Sequence, residues 1–206
     1  MGNQEVGILG AGSFGTALGH LLATKGFRVT QWARDPEIAR VMNSEHRNPK
    51  YLADLRLPDL QVGTADVARA VEGKSLILSV IPSQAARTVL KGVESSIHAP
   101  TILVSASKGI ENGSLMTMNE VFKQVLPATL HRQLAFLSGP SFAREVATGQ
   151  PTAATLAAED ESVAKQAQEA FATPYFRTYF TTDVMGVEIG GACKNVIAIA
   201  AGISDG

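Results

Sequence analysis

The chain has 206 residues, 45% of them hydrophobic and 18% charged, with a formal net charge of −1; this is the composition of a folded protein with one sizeable core or two small ones, not of a disordered chain. So balanced a charge, without any block of like charges, makes no electrostatic case for nucleic acid or an anionic membrane, and any bound anion must be held by a local cluster. The single cysteine, Cys193, excludes an intrachain disulfide framework and a cysteine zinc site, implies a reducing, cytoplasmic setting, and is expected to pack as a small apolar residue.

Met1 to Glu5 run directly into an apolar segment, with no signal or transit pattern. Short runs rich in Val, Ile and Leu then recur at Val6 to Leu9, Phe27 to Trp32, Leu76 to Ile81, Thr101 to Ser105, Leu134 to Leu137 and Thr152 to Leu156. Segments with helical spacing lie between them, at Ser13 to Lys25, Pro36 to Asn43, Ser83 to Val93, Ser114 to Val125 and Glu161 to Phe171. The alternation predicts an α/β fold with a doubly wound, mostly parallel sheet. Asn43 to Leu60, with Asn48-Pro49 and Leu57-Pro58, lacks periodicity and is expected to be a long loop. After Asp183 the chain becomes one apolar helix, from about Val184 to Ile203, whose longest apolar stretch, Val196 to Ile203, is too short to span a bilayer.

Chemistry concentrates where strands end. Gly10-Ala11-Gly12-Ser13-Phe14-Gly15 follows the first strand and opens the first helix, which is the context a GxGxxG turn needs to hold a pyrophosphate. Gly10 makes the turn, Gly12 admits the ligand, and Gly15 lets helix and strand pack. At the end of the second strand Arg34 suits a 2'-phosphate and the adjoining Asp35 a ribose hydroxyl. The cofactor is therefore NAD(P), leaning towards NADP. Pro82-Ser83-Gln84 is expected to wall the same cavity.

Lys108, after the strand Thr101 to Ser105, and the turn Gly139-Pro140-Ser141, after Leu134 to Leu137, fall at the ligand end of the sheet. Backbone N–H groups of that turn and of the helix after it are expected to face an anion or a polar ligand. Lys194 stands in Gly190 to Ala201, a run with almost nothing else that wants water. It either lays its methylenes along apolar surface with its ammonium in water, or has its pKa depressed by burial and by Lys108 and serves as a general base. No pair of carboxylates or metal-ligand spacing appears, and His20, His46, His98 and His131 are expected to be packing or surface residues.

These segments resemble the NAD(P)-dependent glycerol-3-phosphate dehydrogenases. The resemblance runs in order through Gly10 to Leu18, Asn48 to Leu52, Ser107 to Glu111, Ser138 to Ala143 and Gly190 to Asn195. It implies a Rossmann-type cofactor domain over residues 1–183, and a last segment, 184–206, that begins an all-helical substrate domain not present in the sequence. It also implies interconversion of sn-glycerol 3-phosphate and dihydroxyacetone phosphate, supplying glycerophospholipid synthesis. By the same resemblance Lys194 is the catalytic acid/base, and Lys108, Gly139, Ser141, Lys194 and Asn195 contact substrate. Gly10, Gly12, Ser13, Phe14, Gly15, Arg34, Tyr51, Lys108 and Ala143 contact the dinucleotide. The implied partners are this small substrate and, in a full-length protein, a second copy as a homodimer, without membrane insertion. Residues 1–206 by themselves are expected to bind dinucleotide with little turnover. A related β-hydroxyacid or 6-phosphogluconate type of dehydrogenase, or a non-catalytic nucleotide-binding module, remains an alternative.

Overall fold

The computed structural model describes residues 4–206. Its frame is one eight-stranded sheet of order β3-β2-β1-β4-β5-β6-β7-β8. The strands are β1 (Glu5–Leu9), β2 (Arg28–Trp32), β3 (Gln61–Thr64), β4 (Leu76–Ser79), β5 (Ile102–Ser105), β6 (Leu134–Ser138), β7 (Thr152–Ala157) and β8 (Phe176–Thr181). Every neighbouring pair is parallel except β6 and β7, which run antiparallel with Leu137 opposite Leu156. The helices are α1 (Ser13–Thr24), α2 (Pro36–Glu45), α3 (Ser83–Lys91), α4 (Met118–Val125), α5 (Ala143–Ala147), α6 (Glu161–Phe171) and α7 (Val184–Asp205).

The central strands are buried on both faces because their runs are apolar without alternation. On one face Val6, Ile8, Leu78, Val104 and Leu137 pack with α1 and α6 through Leu18, Leu22, Ala164 and Phe171. On the other, Leu9, Ile77, Leu103 and Phe136 pack with α3 and α4 through Leu90, Val121 and Phe122. Phe122 and Phe136 meet edge to face at 6.2 Å between ring centroids. Removing such a fully buried ring costs about 3–5 kcal/mol, so this packing, not surface pairing, sets the sheet's rigidity.

The elements depart from expectation in particular places. Strands β3 and β8 are additional to those expected, and the helix expected after the Gly139–Ser141 turn is the five-residue α5. Helix α2 runs to Glu45, which shortens the expected long loop. α4 starts at Met118 and not near Ser114, because Thr117 forms the cap: its hydroxyl accepts from the Glu120 N–H while the Glu120 carboxylate accepts from the Thr117 N–H, a reciprocal pair that satisfies two end donors. α7 has 22 residues, with an 18-residue window of mean hydropathy 1.4, long and apolar enough to cross a bilayer by length and composition; the stretch Val196 to Ile203 alone understates it. Cys193 is exposed and does not pack.

Candidate dinucleotide and substrate site

Strand order reverses between β1 and β4, since the chain winds outward to β2 and β3 on one side and to β5 and β6 on the other. That switch point leaves a crevice beyond the strand ends, where such sheets bind ligands. A cavity of about 650 Å³ opens there. Gly10, Gly12, Ser13, Phe14, Gly15, Arg34, Tyr51, Lys108 and Ala143, the nine residues expected to contact dinucleotide, all border it, and so does Pro82.

The glycines of the turn divide their work. Gly10 has φ +116°, and a Cβ there would lie 2.7 Å from the Val80 carbonyl oxygen; a Cβ at Gly15 would lie 2.2 Å from the Gly10 oxygen. Both are demanded by the fold. A Cβ at Gly12 would meet nothing within 4 Å, so the protein itself has no use for a glycine there, and the space it clears fits a pyrophosphate at the start of α1.

Beneath the turn lies a carboxamide network that sequence reasoning passed over. Gln31 and Asn48 are completely buried. Gln31 Nε2 donates to the Gly10 oxygen at 2.9 Å, while its Oε1 accepts from Gln61 Nε2 at 2.8 Å. Asn48 Nδ2 donates to the Ala11 oxygen and to Thr16 Oγ1, both at 2.9 Å, and its Oδ1 accepts from the N–H groups of Lys50 and Tyr51. One side chain thus ties the loop after α2 to the glycine turn and sets Tyr51 at the cavity. The signal available was polarity inside an apolar strand for Gln31, and an Asn-Pro turn for Asn48. At the cavity's far end Asp35 caps α2, accepting from the Glu37 N–H at 3.0 Å. Exposed Arg34 makes no hydrogen bond or ion pair among the described residues and borders the cavity.

Lys108 Nζ donates to the Gly139 oxygen at 3.2 Å and stands 5.6 Å from the Phe14 ring centroid. Burial first, then the charge and close approach of Lys194, lowers its pKa from the ordinary 10.5 to about 8. A cation over a ring contributes only ~0.5–2 kcal/mol, too little to offset that loss of solvation and the repulsion of a second ammonium. Lys194 is half-buried, with Nζ 5.4 Å from the Phe142 ring. It borders a second cavity of about 350 Å³ together with Ser138, Gly139 and Gly191.

The loop bearing Lys108 is clamped behind the site. Arg87 on α3 grips Glu111 through Nε and Nη2, and Ser114 Oγ donates to the same carboxylate at 2.6 Å; Arg87 and Ser114 hold Glu111's pKa down at about 2. Gln84 on α3 fixes the next turn by donating to the Ile110 oxygen and accepting from the Asn112 N–H.

The turn after β6 differs from expectation. The Ser141 N–H is spent on the Gly139 oxygen at 2.9 Å, the same oxygen that accepts from Lys108 Nζ, and α5 is a five-residue helix. Ser141 borders the first cavity and Gly139 the second. Asn195 is exposed and borders neither.

A glycine turn feeding a helix at the switch point of a doubly wound sheet defines a dinucleotide-binding domain of the Rossmann class. The profile of the NAD-dependent glycerol-3-phosphate dehydrogenase N-terminus matches residues 5–164, and that of the same family's C-terminus matches residues 183–206. The chain is 51% identical over 203 residues to glycerol-3-phosphate dehydrogenase [NAD(P)+] of Leptospira biflexa, covering 98% of this chain and 61% of that one. It is 53% identical over 199 residues to the enzyme of the same name from Anaeromyxobacter dehalogenans, covering 97% and 60%. The crystal structure of glycerol-3-phosphate dehydrogenase from Coxiella burnetii superposes with a TM-score of 0.89 at 36% identity, over 100% of this chain and 62% of that one. The chain belongs to the NAD-dependent glycerol-3-phosphate dehydrogenase family, and spans about 60% of the length of the curated relatives it matches.

Proposed function

We propose that the protein interconverts sn-glycerol 3-phosphate and dihydroxyacetone phosphate with NAD(P), supplying glycerol 3-phosphate for glycerophospholipid synthesis in the cytoplasm. The observation that carries this reading is a pair of neighbouring lysines on two cavities, Lys108 on the one built around the glycine turn and Lys194 on the other. The cofactor supplies a hydride acceptor or donor at the substrate's C2. Gly10, Gly12 and Gly15 with the start of α1 hold the pyrophosphate, and Tyr51 and Ala143 wall the cavity. Arg34, unpaired where Asp35 is committed to a helix cap, favours a 2'-phosphate. The Lys108 ammonium attracts the substrate phosphate. In oxidation the C2 hydroxyl gives its proton to Lys194 as the C2 hydrogen leaves with its electron pair, and reduction reverses both transfers. Lys108 holds the substrate beside it.

Residues 1–183 form the cofactor domain in this reading and 184–206 open a helical substrate domain, through which the full-length protein would pair as a homodimer without entering a membrane. In residues 4–206 Lys194 is half-open to water and Asn195 fully so, so a polypeptide of residues 1–206 binds dinucleotide with little turnover. The test is titration of that polypeptide with NADH and NADPH by fluorescence, followed by assay with dihydroxyacetone phosphate. Binding of either, tighter for NADPH, with negligible oxidation is the expected result. Failure to bind both would sink the cofactor reading. Turnover matching a full-length relative would sink the claim that residues 1–206 lack a complete site.

A further inference from the structure

α7 touches the rest of the molecule over a short stretch. Of its residues only Val184 and Gly191 are buried, and beyond Lys194 every residue is exposed. Gly191 lets the helix approach the sheet, since a Cβ there would stand 2.8 Å from Ser138 Oγ and 3.9 Å from Lys108 Cγ. Between these two contacts lies Glu188, four residues after one and three before the other, on the same helical stripe. Its Oε1 accepts from the Asn119 N–H at 2.8 Å, in the first turn of α4. That is a carboxylate set against a helix N-terminus, a favourable arrangement. Its Oε2 is buried without a partner among the described residues.

A buried, half-paired carboxylate is costly, and burial raises the pKa of Glu188 with Glu120 adding to the rise, against the opposing hydrogen bonds of α4. Such a group needs a reason to be there. Glu188 borders a cavity of about 10 Å³ together with Ser105, Ser138, Lys108 and Gly191. Ser105 is 1% exposed, and its Oγ also lacks a partner among the described residues. The space suits one water molecule with polar partners on several sides.

We propose that Glu188 is a positioning residue that seats α7 on the sheet, one oxygen holding the first turn of α4 and the other a water shared with Ser105, and thereby fixes Lys194 beside Lys108. The inference rests on reading the two lysines as a working pair, but its test reads their spacing and not their catalysis. The titratable groups around Glu188 are Glu120 on α4, Lys108 across the small cavity and Lys194 on its own helix; Lys194 is the charged group that bears on Lys108.

Competitive acetylation of the 206-residue protein across a pH series, with peptide mass spectrometry, gives the midpoint of Lys108. In the parent protein it falls near 8. Glu188→Ala frees α7, Lys194 moves away, and the midpoint climbs towards an ordinary lysine, by about one pH unit or more. Glu188→Gln keeps an oxygen for the Asn119 N–H and so keeps α7 seated; the midpoint stays or falls with the lost charge and does not rise. Glu188→Asp keeps the charge but withdraws it by about 1.5 Å, one carbon–carbon bond, and behaves like Ala; it serves if the Ala variant does not fold. Mere removal of a nearby negative charge would move the midpoint down. A midpoint that stays or falls in folded Ala and Asp variants, or rises equally with Gln, overturns the proposal. Dinucleotide titration of the same samples reports separately on the cofactor reading, and intact binding identifies the folded variants.

Discussion

Lys108 concentrates the site's electrostatic tension in one side chain. Its pKa of about 8 in the fold lies below the ordinary 10.5, so between those values the unfolded chain holds more protons and this group makes stability rise with pH. Anion binding runs the other way, because only the ammonium attracts phosphate. Dinucleotide affinity should therefore fall as pH rises through about 8, as isothermal titration at several pH values will register. Lys108→Met should weaken binding by about tenfold, the scale of one charged hydrogen bond, and flatten that pH dependence. The sequence placed both lysines at the ligand end correctly, from strand ends and from an ammonium among apolar residues. Composition does not tell how far each is covered: α7 is apolar yet largely exposed, while Lys108, in an ordinary-looking loop, is enclosed by Phe14, Gly139 and the face of α7.

At the scale of elements, what was legible followed from period and caps, and what was missed was too short or too polar to show either. Six strands announced themselves as apolar runs. β3 is four residues following an aperiodic loop, and β8 is a sheet-edge strand whose burial starts by alternating, Phe176 and Thr178 inward, Arg177 and Tyr179 outward. α5 shows in the sequence only as a helix start after the turn, because at five residues it is below the length at which helical spacing repeats. The loop after α2 looked structureless because its order comes from Asn48 and not from its own periodicity. Asn48→Ala should strand the N–H groups of Lys50 and Tyr51, with Ala11 O and Thr16 Oγ1, at a cost of about 2 kcal/mol or more. The fall in denaturation midpoint and a loss of dinucleotide affinity measure the two effects. Asn48→Asp, which keeps only the accepting half, should lie nearer Ala than the parent.

Over the whole molecule, stability is graded from a rigid sheet to a helix whose outer half has no buried residue. Amide exchange should need global unfolding in β1, β4 and β5, which are buried on both faces, and only local opening in residues 195–206. Hydrogen–deuterium exchange read by mass spectrometry checks this; equal protection of the two regions would contradict it.

The antiparallel pairing of β6 and β7 decides where that helix can go. Because β7 and β8 point backwards relative to the other six strands, the chain leaves β8 at the opposite end of the sheet from the glycine turn. α7 then climbs alongside β6 and β7. From Val184 to Lys194 it rises about 15 Å at 1.5 Å per residue, close to the roughly 17 Å spanned by a five-residue strand such as β6. The helix acts as a ruler laid along the strand, and the lysine is its mark at the cofactor's end. With β7 and β8 the other way round, the same helix would start at the glycine turn and carry its lysine off into solvent; one inverted strand pair converts a count of residues into an address.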